Sequence, residues 1–143
     1  MLSLQEISDR LEIQDLLTRY ADAIDRRDWD LLDTVYTPDA DIDYSAFAGL
    51  AGKYPEIKVW LAESLAPVPS FQHMNANMDI RIDGDNATGR IMCFNPMVLP
   101  GEENPPVVCF NGLWYIDRYV RTADGWRIAY RNEERAYAHN FPY

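Results

Sequence analysis

The apolar period of this chain changes once, and that change constrains the fold more than any other feature. Up to residue 65 hydrophobic side chains recur at helical spacing; from residue 70 they mostly alternate, as strands require. Within residues 7–24, Ile13, Leu16, Leu17, Tyr20 and Ile24 share one face. Asp28 is placed to cap a second helix whose apolar side is Trp29, Leu31, Leu32, Val35 and Tyr36. Thr37-Pro-Asp39 breaks that pattern, and residues 40–44 read as a short strand. Pro55 suits the first turn of a third helix over residues 56–65, which Pro67 and Pro69 end.

Strands fill the remainder. Residues 70–82 alternate Met74, Ala76, Met78, Ile80 and Ile82 against His73, Asn75, Asn77, Asp79 and Arg81. A turn at 83–87 leads to a strand over 88–95, followed by a Pro-rich acidic loop over 96–106. Residues 107–121 form one long strand, 122–125 a hairpin turn and 126–134 the last strand. Helices followed by an antiparallel sheet predict an α+β fold with the helices on one sheet face.

At 143 residues, without repeat or linker, the chain fits a single domain able to bury its own core. Its 48% hydrophobic and 13% aromatic content excludes a disordered chain. The net charge of −10 repels phosphate backbones and anionic lipid, so neither nucleic acid nor a membrane surface is the expected partner. The opening residues lack the basic and apolar regions of a signal peptide, so a cytoplasmic location is expected. Cys93 and Cys109 are too few and too distant for a disulfide framework or a zinc site, and read as two buried thiols. The carboxylates show no metal-ligand spacing, and Gly-rich phosphate loops, Gly-x-Ser-x-Gly and His-Glu-x-x-His are missing. No metal or organic cofactor is expected.

Among the two histidines, His73 lies in a strand-like run and His139 in a C-terminal tail. An imidazole titrates at about 6.5, so a histidine oriented by a carboxylate is a proton-transfer group at neutral pH. Alternation puts His73 with Asn75 and Asn77 on a polar face, which meets either solvent or a polar cavity; asparagines are poor strand formers and fit the cavity better. Asp25, near a helix C-terminus, opposes the helix dipole and needs a cation, either Arg26 or Arg27 or a protonated His73. Tyr20 lies on the apolar helix face and Tyr44 ends a short strand; both read equally as core tyrosines. Asn111, alternating with Cys109 and Leu113, is a pocket candidate because a buried amide needs partners. Trp114, Tyr115, Tyr119 and Trp126 read as sheet packing.

The segments Ile13-Gln-Asp-Leu-Leu-Thr-Arg-Tyr20, Asp25-Arg-Arg-Asp-Trp-Asp30, Asp41-Ile-Asp-Tyr44, Gln72-His73 and Tyr119-Val-Arg-Thr-Ala-Asp-Gly-Trp126, in this order, resemble the SnoaL-like family. This is the α+β cone shared with nuclear transport factor 2, and the chain is most similar to its lyase branch: scytalone dehydratase, bile acid 7α-dehydratase and hexachlorocyclohexane dehydrochlorinase. The resemblance implies a curved sheet around an apolar pocket, with His73 facing inward. It implies a His73–Asp25 base, Tyr20 as a further catalytic group and Tyr44 as a substrate-orienting residue. A second histidine of scytalone dehydratase falls here at Phe110 or Asn111, which the resemblance places among substrate contacts without that enzyme's proton relay. Ile24 replaces a tyrosine beside its aspartate, and Tyr20 stands where the dehydrochlorinase has a lysine. The implied protein is a cofactor-independent dehydratase acting on a hydrophobic cyclic or polycyclic molecule, and a homo-oligomer, trimer or dimer, with Trp114 and Tyr115 as contacts. An isomerase or cyclase, or a non-catalytic dioxygenase-subunit-like domain, are the alternatives on the same cone.

Overall fold

A computed structural model describes residues 1–101 and 105–141. Helix α1, Leu4–Asp25, starts a turn before the apolar face that predicts it. The Ser3 hydroxyl accepts from the Glu6 N–H at 3.1 Å and the Glu6 carboxylate accepts from the Ser3 N–H at 2.8 Å. That reciprocal pair satisfies two amides otherwise left open at a helix start. Asp9, Ile13, Leu16, Leu17, Tyr20, Ala23 and Ile24 are buried, which is the face the spacing identifies plus Asp9 and Ala23.

The helix stops abruptly. The Arg27 N–H donates to the Ile24 carbonyl at 3.0 Å and the Asp28 N–H to the Ala23 carbonyl at 2.8 Å. This is the Schellman closure, with Arg27 at φ 55° where glycine is usual. The turn leaves Asp25 as the last helical residue and swings Arg27 toward helix α3, Tyr54–Leu65, where its guanidinium donates to the Leu65 and Val68 carbonyls.

Asp28 caps helix α2 as the sequence predicts, but α2 is only Trp29–Leu32. Tyr36 opens strand β1, Tyr36–Asp43, which runs through Thr37-Pro-Asp39. Proline is tolerated there because the pairing of β1 is irregular between Tyr36 and Asp41. A short 3-10 turn, Ser45–Phe47, and strand β2, Ala51–Lys53, complete an edge hairpin that the sequence does not announce.

The other strands are β3 (Ser70–Phe71), β4 (Met74–Asp83), β5 (Asn86–Leu99), β6 (Val107–Thr122) and β7 (Gly125–His139). Their order is β2-β1-β7-β6-β5-β3, with β4 also on β5. Among the described residues all pairs are antiparallel, as the sequence predicts, except β1–β7, which is parallel. The sheet curls into a half-barrel around the helices, an α+β cone. Both cysteines are buried free thiols. No helix among the described residues is long and apolar enough to cross a membrane.

Three boundaries differ from their sequence signals. The run over residues 70–82 is broken at Gln72 and His73, between β3 and β4. β5 continues through Pro96, whose carbonyl accepts from the Gln72 N–H at 3.2 Å. In an antiparallel strand a residue's N and C=O point to the same side, so the donor Pro96 lacks would point at this gap, and no bond to β6 is lost. The expected loop over 96–106 therefore shrinks, and its residues 102–104 lie outside those described. β7 extends to His139, which pairs with Phe110 instead of lying in a tail.

Two bulges control which side chains face inward. In β4, Ala76 pairs with Met92 and Met78 with Ile91, leaving Asn77 unpaired at φ 44°. Asparagine tolerates this left-handed conformation better than most residues. Below the bulge Ile80 is buried and Arg81 exposed; above it the phase reverses, so Asn75 donates to the Leu17 carbonyl of α1 while Met74 is exposed. In β7, Ile128 pairs with Tyr119 and Tyr130 with Arg118, leaving Ala129 extra. Trp126 and Ile128 are buried before it and Arg131 after it.

Arg131 makes a bidentate pair with Asp117 at 2.8 and 2.7 Å, both side chains 0% exposed. Tyr119 donates to the same carboxylate at 2.7 Å, and the guanidinium lies 3.8 Å from the Tyr115 ring centroid and 4.2 Å from that of Tyr20. Tyr115 is therefore interior, so of the two aromatics expected at an oligomer contact only Trp114 faces outward, under the Arg90 guanidinium at 3.7 Å.

Asn77→Val should cost about 1–2 kcal/mol, because a β-branched residue is strained at positive φ, whereas Asn77→Gly should stay near wild type in urea denaturation. Asp117→Ala should cost roughly 3–5 kcal/mol by stranding a buried guanidinium. Joint replacement with Asp117→Leu and Arg131→Met should cost less than that single change by the same measurement.

Candidate active site

Between the concave sheet face and helices α1 and α3 lies a cavity of about 410 Å³, a size ordinary for small-molecule sites. Its walls are mainly apolar, with Trp60 and Leu61 from α3, Phe71 from β3 and Leu113 from β6. Gly49 sits at its rim, where a Cβ would come within 2.8 Å of the Tyr44 Cβ and 2.9 Å of the Trp60 ring. Among the polar groups facing it are His73, Tyr20, Tyr44, Asn95, Asn111 and Glu133.

The sheet gap between β3 and β4 makes the first of these possible. Out of the ladder, the His73 N–H donates to Asp25 Oδ2 at 2.9 Å, and His73 Nδ1 lies 2.6 Å from Asp25 Oδ1. The carboxylate can only accept, so Nδ1 carries the proton and Nε2 keeps its lone pair for the cavity. Tyr20 and Phe71 pack edge-on to the imidazole, at 5.9 and 6.3 Å between centroids. Asn95 donates to the Gln72 carbonyl at 2.9 Å and steadies the gap from β5. Side-chain exposure of 10% for His73 and 21% for Asp25 keeps the pair largely out of solvent. Of the two cation choices for Asp25, His73 is the one in contact, while Arg27 is spent on the Leu65 and Val68 carbonyls and on the Phe71 ring.

Tyr20 and Tyr44 meet through their hydroxyls at 3.0 Å, and Tyr36 joins Tyr44 at 2.9 Å. Burial raises the pKa of all three, so they serve as hydroxyl donors and not as phenolates. Asn111 donates only to the Met97 sulfur at 3.6 Å, and its buried Oδ1 has no partner among the described residues. That oxygen is a spare acceptor on the cavity wall. Phe110 points to the other sheet face, stacked between Phe94 and His139 at 5.9 and 6.3 Å, and is not a cavity residue.

Glu133, Arg131 and Asn95 are absent from the sequence-derived candidates. Simple alternation from Trp126 turns Arg131 and Glu133 outward; only the Ala129 bulge turns them in. Asn95 stands at the expected end of its strand, where alternation gives little guidance. Among the described residues no group of three or more His, Cys, Asp or Glu side chains is gathered where it could hold a metal.

A family model described as a SnoaL-like domain matches residues 5–132. An uncharacterized protein of Mycobacterium tuberculosis (strain H37Rv) is 53% identical over 137 residues, covering 96% of this chain and 92% of that protein. A crystal structure from Kribbella flavida superposes with a TM-score of 0.85 at 28% identity, covering 93% of this chain and 94% of the other. A hexachlorocyclohexane dehydrochlorinase from Novosphingobium barchaimii has the same fold, with a TM-score of 0.78 at 19% identity over 95% and 92% of the two chains.

Nitrogen-15 NMR of the ring should find neutral His73 protonated at Nδ1. Asp25→Asn should mix the two tautomers, whereas an Nε2–H form in the wild type would contradict the geometry.

Proposed function

The chain belongs to the SnoaL-like domain family, and we propose from its site that it is a cofactor-independent lyase of the dehydratase kind. The observation that carries this reading is the 2.6 Å His73–Asp25 contact beside an apolar cavity. Asp25 holds the imidazole in one tautomer and stabilises the imidazolium that forms. His73 Nε2 removes a proton from carbon, one acidified by a neighbouring carbonyl. The Tyr20–Tyr44 hydroxyl pair polarises that carbonyl as negative charge builds on its oxygen. Asn111 Oδ1 accepts from a substrate hydroxyl. The apolar walls select a cyclic or polycyclic skeleton, and neither metal nor organic cofactor takes part.

Proton transfer by a positioned base contributes on the order of 10²–10⁴-fold, so the cavity must supply the rest through orientation. The same base with the same hydroxyl pair also suits isomerisation, in which the enolate is reprotonated without loss of a group. We further propose that the protein works as a homo-oligomer, trimer or dimer, in the cytoplasm.

His73→Ala and Asp25→Asn should each lose most turnover while melting near wild type, and the double variant should be scarcely worse than His73→Ala, since the two act as one unit. Turnover of hydroxylated cyclic ketones, followed by the absorbance of the new double bond, is the measurement. Wild-type rates in His73→Ala would overturn the reading, and activity lost on chelation and restored by a divalent ion would overturn its cofactor independence.

A further inference from the structure

Elimination of water needs an acid as well as a base, because hydroxide is a poor leaving group until it gains a proton. The tyrosines suit that role poorly, since burial raises the pKa of Tyr20 and Tyr44 above the ordinary value of 10.0. His73 is engaged as the base. One further acid lines the cavity, Glu133 on β7.

We propose that Glu133 is the general acid of this site, holding its proton at neutral pH and delivering it to the departing hydroxyl. The inference rests on the elimination reading above and assigns its second proton transfer.

The placement supports it. Glu133 pairs with Tyr115 across β6 and β7, and the rings run Tyr115–Tyr20–His73 at 5.6 and 5.9 Å between centroids. Strand order separates β7 from the β3–β4 gap by three intervals, about 14 Å along the curved sheet. A substrate between them meets the base on one side and the acid on the other. The Glu133 carboxyl has no hydrogen-bond partner among the described residues, and it is half-buried on the cavity wall. Burial lifts its pKa to about 8; Arg131 beside it pulls the other way, and Asp43 on β1 adds to the rise. The other titratable groups around it are the hydroxyls of Tyr20, Tyr44 and Tyr115 and the Cys93 thiol, all neutral at that pH.

The step balances. His73 Nε2 takes the proton, the C–H pair becomes the double bond, the C–O bond breaks with its pair on oxygen, and Glu133 supplies the proton that makes water. Solvent then restores the proton to Glu133 and removes the one on His73.

The test starts without substrate. Difference infrared spectra between wild type and Glu133→Gln should show one protonated carboxyl at pH 7 that ionises near 8. A carboxyl that binds its proton more tightly when folded lends stability that is complete below about 4.5 and lost as pH rises through about 8. The melting temperature of wild type relative to Glu133→Gln should therefore fall across that window and then level. An ionised Glu133 at pH 7 overturns the proposal.

The second arm compares a bicyclic β-hydroxyketone with its β-chloro counterpart. Glu133→Gln should lower kcat on the hydroxyketone about 100-fold with little change in KM, erase the alkaline limb of its pH profile, and spare the chloro compound, whose leaving group needs no proton. Equal losses on both, or none on the hydroxyketone, overturn the acid assignment while an inactive His73→Ala leaves the base in place. Wild-type turnover by His73→Ala removes the elimination reading and this inference with it.

Discussion

Everything around the cavity leans on one guanidinium that has no access to water. A fully buried arginine is tolerated only when its charge and donors are answered, and Arg131 is answered by both Asp117 oxygens and by two aromatic faces. Its Nη1 alone stays without a partner among the described residues. The arrangement ties β6 to β7 and fixes the planes of Tyr20 and Tyr115. Those rings in turn seat the imidazole, and the Tyr20 hydroxyl orders Tyr44. The charge also reaches Glu133, favouring its ionised form, and is outweighed there by burial.

Much of this is readable from residues alone. The change of apolar period predicts the α+β class, and every residue the spacing puts on the inner face of α1 is buried, with Asp9 and Ala23 beside them. Asp25, His73, Tyr20, Tyr44 and Asn111 all reach the cavity region, His73–Asp25 in direct contact. What escapes is tied to phase. Alternation carried across Asn77 and Ala129 assigns the wrong side to everything beyond, because a single unpaired residue inverts a strand's two faces. Glu133 is invisible to the sequence for that reason. Phe110 is misplaced for a simpler one, since adjacent residues on a regular strand cannot both face the cavity, and Asn111 already does.

The proline-bearing segments mislead in a related way. Pro38 and Pro96 read as strand breakers, yet each sits where the ladder is already irregular or open, so the missing donor costs nothing. The gap facing Pro96 is the same one that frees the His73 amide for Asp25. One interruption of the sheet thus serves two residues from distant parts of the chain, a relation that no local reading of either segment contains.

The Asn77 bulge has a consequence in genetic terms. Loss of that one codon would restore regular pairing in β4 and leave each flank on its present partner, Asn75 opposite Cys93 and Met78 opposite Ile91, so both would face inward as before. The core would be spared and the base with it. A lineage carrying this scaffold can therefore shed the extra residue in frame and keep its base, whereas loss of the Met74 codon would set His73 opposite Phe94, on the outer face.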